Sequence, residues 1–242
     1  MRYHLYYQNH SSNQLTSTFR GFTIMISFFL LIQCSDVIEK DKLTEGIIEY
    51  DIAYVNNSDR SFPLQLLPKT MELKFNRNYA AYTIEDRVGL FSISIITNLK
   101  KRNHLTLIKV FNKKYVYRSE KKETPIFFDA NTTYYVNFLK DTFHLAGIPC
   151  KKASVTDTKS RKNYDVAYTS NIDVPNPNLN TPYKDINGLL MEFVLQMKNL
   201  KMTLTAKKII KKKINDQNFV LPDGYKFISK KQMEEIITTL LP

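Results

Sequence analysis

The stretch LLMEFVLQMKNLKMTLTAKKIIKKKI, residues 189–214, decides the fold. In its first half Leu189, Met191, Phe193, Leu195 and Met197 recur at every second position, with Glu192 and Gln196 among the residues between them. Successive side chains on a strand point to opposite faces, so this spacing puts all five apolar residues on one face. Met202, Leu204 and Ala206 repeat the pattern in the second half, and Asn199 between the halves suits a tight turn. The stretch therefore reads as an antiparallel hairpin with one apolar face.

The same period extends outward from this hairpin. GIIEYDIAYV (46–55), KTMELKFNR (69–77), YAAYTIE (79–85) and GLFSISIIT (89–97) alternate in the manner of strands. HLTLIKVF (104–111) and KKYVYRSE (113–120) read as a hairpin or one bulged strand. TTYYVNFL (132–139), CKKASVTD (150–157) and YDVAYTSNI (164–172) continue the series. DVPNPNLNTPYKDING (173–188) carries three prolines, which cannot donate to a ladder, and reads as a loop. SKKQMEEIITTLL (229–241) is helical: Ser229 can cap it, and Met233, Ile236, Ile237 and Leu240 fall at helical spacing. The class that follows is mainly β, with nine to eleven antiparallel strands in a meander that curls on itself, and one C-terminal helix. No repeat of fixed period occurs, so residues 45–242 read as a single β-rich domain.

At the other end, residues 1–33 contain no Asp or Glu. Arg2 and Arg20 precede the apolar run Phe22–Ile32, the order of a secretory signal. The run is shorter than the ~20 residues a membrane helix needs; a buried core helix is the structural alternative. It ends in Leu31-Ile32-Gln33-Cys34, which resembles the lipobox of bacterial lipoproteins, in which the cysteine is acylated and becomes the first mature residue. Gln33 departs from that pattern, where a small residue is usual. Residues 1–33 are then a lipoprotein-type signal, Cys34 the lipidation site, and 34–44 a polar tether. An ordinary unpaired cysteine beside a cleaved signal is the alternative. Acylation would hold the chain to a membrane, since each buried methylene contributes about 0.8 kcal/mol. Cys150 would be left as a lone thiol in a strand, packed rather than reactive.

The 242 residues are 43% hydrophobic and carry a formal charge of +12, enough for one sizeable core and a preference for polyanions. Lysines concentrate at Lys207, Lys208, Lys211, Lys212 and Lys213. Isoleucines rather than exposed aromatics or arginines accompany them, so a nucleic-acid surface is not expected. A solvated face that protects a strand edge, or attraction to an anionic membrane, accounts for them better. His104 and His144 stand apart, with no zinc-type spacing, no nucleophile elbow and no phosphate-cradling glycine loop nearby. No catalytic residue, metal site or cofactor is expected.

The stretch 183–229 resembles the end of a family of small secreted bacterial lipoproteins. It is similar to the proteins named after the motif Gly-Leu-Pro-Gly-Leu-Ile, represented here by Gly188-Leu189-Leu190-Met191, with Leu190 and Met191 replacing Pro-Gly. Phe219, Pro222, Gly224 and Tyr225 match a following Phe-x-x-Pro-x-Gly-Tyr element, and GIPCKKASVTD (147–157) matches a central strand. Such families look like the half-barrel of the outer-membrane lipoprotein carriers, a curved sheet over an apolar hollow. The resemblance implies an envelope lipoprotein at the outer rather than the inner membrane, its domain facing periplasm or cell surface. It also implies a concave face that could receive a lipid or other apolar ligand. Leu189, Met191, Phe193, Leu195, Met197, Met202 and Leu204 would line that face, and their spacing fits a packed core equally well. The competing expectation is an interaction module that acts through its basic face and binds no small molecule.

Overall fold

In the computed structural model the hairpin is assembled as its alternation dictates: Phe193 stands opposite Leu204 and Leu195 opposite Met202. The structure describes residues 42–240 except 56–66, 129–131 and 198–199, and the side chain of Met197 is outside the described set. The signal 1–33, Cys34, the tether up to residue 41 and the turn at Asn199 therefore lie outside the described residues.

Among the described residues twelve strands form one sheet: β1 (Gly46–Tyr54), β2 (Thr70–Phe75), β3 (Tyr79–Glu85), β4 (Phe91–Asn98), β5 (Asn103–Val110), β6 (Lys113–Arg118), β7 (Tyr134–Leu145), β8 (Ile148–Asp157), β9 (Asn163–Thr169), β10 (Leu189–Met197), β11 (Leu200–Ile210) and β12 (Lys226–Phe227). One helix, α1 (Lys230–Leu240), follows. The spatial order is β12-β6-β5-β4-β3-β2-β1-β11-β10-β9-β8-β7, so the sheet is open rather than closed into a barrel. Two antiparallel meanders, β1–β6 and β7–β11, are joined where β1 pairs with β11. Ile52 lies opposite Leu204 and Tyr50 opposite Ala206, with a register shift between Glu49 and Tyr50. The pairing β12–β6 is parallel.

The inner face holds the main core. Tyr50, Leu73, Phe75, Ile93 and Ile108 are fully or almost fully buried there with Met233 and Ile237 of α1. The helix starts as its sequence specifies: Ser229 Oγ accepts from Gln232 N–H, and Gln232 Oε1 accepts from Ser229 N–H, a reciprocal cap. The proline-rich stretch before β10 is a loop, as its composition indicates, but part of it is buried. Tyr183 and Ile186 are buried, and the Tyr183 hydroxyl donates to Val194 O at 2.6 Å and accepts from Val194 N at 3.2 Å. Gly188 ends this stretch where an added Cβ would lie 2.8 Å from Thr169 O, so the close approach of the chain to β9 requires glycine.

The outer face of β3–β6 is buried as well. Ala80-Ala81, Ile95-Ile96, Leu107-Ile108 and Val116-Tyr117 are adjacent buried pairs, one residue for each face. The outer members meet Ile214 and Phe219, which belong to a strap that leaves β11 at Ile210. Asn76 Nδ2 donates to Ile214 O and to Asp216 Oδ1, Ile214 N–H donates to the Glu45 carboxylate, and Phe219 stacks on Tyr79 at 5.2 Å. A 3-10 turn, Asp216–Phe219, is capped by Asn215 Oδ1. The strap ends as β12 on the free edge of β6 and then turns inward as α1.

Phe219 is 4% exposed and is the larger of the two buried side chains the strap contributes to the outer cluster. Phe219→Ala is expected to destabilise the domain by about 3 kcal/mol, measured as a lowered urea midpoint at unchanged m-value.

Candidate functional site

Six of the seven apolar residues singled out on the hairpin can be placed. Leu189, Met191, Phe193, Leu195, Met202 and Leu204 are all at most 4% exposed and belong to the inner cluster. The hollow they face is largely filled by α1, Phe127, Tyr183 and Ile186. Leu189, Met191 and Leu204 pack in that core. Phe193 and Leu195 border one gap, and Met202 borders another.

The larger gap measures about 250 Å³ and is walled by apolar side chains of five strands and the helix: Tyr54, Ile84, Ile93, Val110, Met202 and Leu240. It forms where the last turn of α1 meets the ends of β3 and β5. Leu90 and Phe111 stand at its rim, 48% and 65% exposed, and Val88 beside them is 72% exposed. Phe111 N–H donates to Leu90 O, which ties these two turns together. Asp86 also borders the gap, but its carboxylate accepts from Phe91 N–H at 2.9 Å. The space is apolar, open at one end, and framed by large side chains that water does not favour.

The smaller gap, about 50 Å³, lies at the opposite end of β3–β5, against Ile95, Thr97, His104, Phe127, Phe193 and Leu195. Next to it the inner face carries a polar cluster. The Tyr117 hydroxyl donates to Glu123 Oε2 at 2.6 Å, and Lys230 Nζ lies 2.8 Å from Glu123 Oε1, which fixes the first residue of α1 to the chain after β6. Burial pushes Glu123 upward, but hydrogen bonds from Lys230, Tyr117 and Glu120 N–H outweigh it and hold the carboxyl below its ordinary value. His104 is 3% exposed, and burial lowers its imidazole to about 4, with Glu123 pulling the other way. His104 Nε2 and Thr106 Oγ1 are buried without a hydrogen-bond partner.

The lysines of the basic stretch are exposed. Lys207 and Lys208 lie in β11 shortly before its end at Ile210, with Lys207 Nζ 3.1 Å from Asp51 Oδ1, and Lys211, Lys212 and Lys213 open the strap. An exposed pair of this kind contributes little to stability. Cys150 is a buried free thiol, pushed up to about 11 by burial. Among the described residues no three His, Cys, Asp or Glu are grouped to hold a metal ion, and no helix is long and apolar enough to cross a membrane. Sequence reasoning missed the wall residues Tyr54, Ile84 and Leu240, because a pocket at the ends of strands has no periodic signature. It also missed the filling role of Tyr183, although an isolated Tyr and Ile among prolines was the available signal.

No protein-family model matches the chain, and no curated protein matches it. Among solved structures it is similar to PNGF-II in its P21 crystal form, at 13% identity and a TM-score of 0.48, covering 81% of this chain and 33% of that one. The C2 form of PNGF-II gives 14% identity, the same TM-score, and coverage of 80% and 32%. The chain thus spans about a third of the length of these neighbours.

Protonation of His104 fixes the sign of an acid response. Its folded value of about 4 lies below the ordinary 6.5, so the unfolded chain binds the proton first. The stability associated with neutral His104 is complete above about 6.5 and falls as pH drops toward 4. Glu123, also depressed, adds a loss of the same sign at lower pH. Urea midpoints recorded across this window are expected to fall with acid, and His104→Gln is expected to flatten the slope between 4 and 6.5.

Proposed function

We propose that this chain is an envelope lipoprotein, held to the membrane through Cys34, whose half-barrel takes an apolar chain such as a lipid acyl tail without catalysing a reaction on it. The supporting observation is the gap of about 250 Å³ beneath Leu240, apolar throughout most of its wall and bordered by the exposed Leu90 and Phe111. A filled hollow with no opening would favour a scaffold. Here the helix fills the middle and leaves an end vacant, where Met202 meets Leu240. The site is therefore shifted from the hairpin centre toward the strand ends. The volume suits part of an acyl chain rather than a whole lipid, with the remainder lying along the apolar rim.

A second reading rests on a different observation. Lys211, Lys212 and Lys213 are exposed on the stretch that leads into the strap. They would draw the domain toward anionic headgroups at about 1 kcal/mol each near the surface. This supports residence at an outer-membrane surface and is compatible with the ligand site, since the lysines do not border it. Nucleic acid is not a partner in either reading.

Native mass spectrometry of the chain isolated from a bacterial envelope fraction tests the proposal. A stoichiometric lipid adduct is expected, and Leu240→Trp, which fills the gap, is expected to remove it while the thermal midpoint is kept. A mass without adduct after incubation with envelope lipids would overturn the ligand reading and leave the basic face as the functional surface.

A further inference from the structure

We infer that the smaller cavity, at the other end of the hollow, is a binding site for a short-chain monocarboxylate. It does not depend on the acyl-chain reading, because the two gaps share no wall residue. Its floor is apolar, with Ile95, Leu190, Phe193 and Leu195 among the residues that form it. Its polar side combines Arg102 and His104, two positions apart at the start of β5, with Thr97 and with Asn176, Asn178, Asn180 and Thr181 of the proline-rich stretch. The Arg102 guanidinium has no hydrogen bond or ion pair among the described residues. His104 is 3% exposed, borders the cavity, and leaves Nε2 unpartnered, with the Thr106 hydroxyl unpartnered one step further along the same face. Buried polar atoms are ordinarily satisfied, so this pair marks a place where a partner is missing.

The turns around the cavity include left-handed residues, as do other hairpin turns of the sheet such as those at Phe111 and Ala146. Arg102, Asn176 and Asn180 all border it and all have positive φ, at 57°, 46° and 70°. For Arg102 this conformation is unfavourable, and it is held there because its carbonyl accepts from Lys122 N–H and from Asn180 Nδ2. The turn is thereby fixed with the arginine at the edge of the cavity.

Charge and size then select the ligand. One guanidinium and one neutral imidazole match a planar monoanion, and a guanidinium pairs with carboxylate through two parallel bonds. A phosphate dianion would need more cations than the cavity offers. A space of about 50 Å³ admits roughly four water-sized groups, which corresponds to a carboxylate with a very short alkyl tail.

The test is a titration of the full chain in detergent with sodium propionate, followed by methyl NMR of Ile95, Leu190 and Leu195. Propionamide, sodium chloride and inorganic phosphate are titrated in parallel. Saturable shifts confined to these methyls are expected with propionate, about tenfold weaker with the neutral amide and about tenfold weaker in Arg102→Gln. Leu240→Trp, at the far gap, is expected to leave them unchanged. Absence of saturable shifts, equal response to propionamide or to phosphate, or an unaltered affinity in folded Arg102→Gln would overturn the assignment.

Discussion

Everything beyond the central strands depends on one stretch of chain that buries β3–β6 from both sides. After β11 the strap crosses the outer face, where Ile214 and Phe219 cover Ile96, Leu107 and Val116. It then pairs with the edge of β6 as β12 and turns inward, so that Met233 and Ile237 of α1 cover the opposite face of the same strands. A strand edge with unpaired backbone groups invites association, and β12 closes that of β6. The sheet can remain open, without sealing into a barrel, because its own C-terminus supplies the layers that closure would otherwise provide. Removing unpaired apolar surface from water at about 25 cal/mol per Å² is what makes this wrap favourable.

The wrap also determines where space is left. The helix enters the hollow at the Glu123–Lys230 contact and ends at Leu240, which borders the larger gap, while the smaller gap is walled by strands and by the proline-rich stretch. At its beginning the neighbours are His104, Thr106 and Tyr117, polar groups on the inner face of β5 and β6. At its end they are Ile84, Ile93 and Met202, and the turns beyond carry exposed Leu90 and Phe111. The inner face therefore borders an apolar opening beside Leu240 and a polar-edged cavity beside His104. The ligand half of the functional proposal rests on this geometry, and the lipid anchor on the sequence Leu31-Ile32-Gln33-Cys34.

Much of the architecture was legible from alternation alone. YAAYTIE matches β3 from Tyr79 to Glu85 residue for residue, and the hairpin pairing Phe193 with Leu204 follows from its period. Strand β7 runs past Leu139 to Leu145, because a register shift between Phe138 and Thr142 breaks the period that marks a strand. Strand β11 ends at Ile210 rather than Ile214, since the lysines after it belong to the strap. The doubled apolar pairs Ala80-Ala81 and Ile95-Ile96 were the available sign of two-sided burial, but a pair of residues does not say what covers the second face. The hairpin residues were readable as an inward-facing set, and their division between packed core and cavity wall was not. That division depends on where α1 stops and where Tyr183 lands, and both are decided by contacts far apart in the chain.

The central functional claim is that an apolar chain enters where α1 ends. A crystal structure of the domain grown with a fatty acid brominated at its methyl end locates that chain directly, through the anomalous signal of bromine. The account predicts one peak among Ile84, Ile93, Met202 and Leu240. A peak found only on the basic outer surface near Lys211–Lys213, or no ordered bromine beneath Leu240 at saturating ligand, would contradict it.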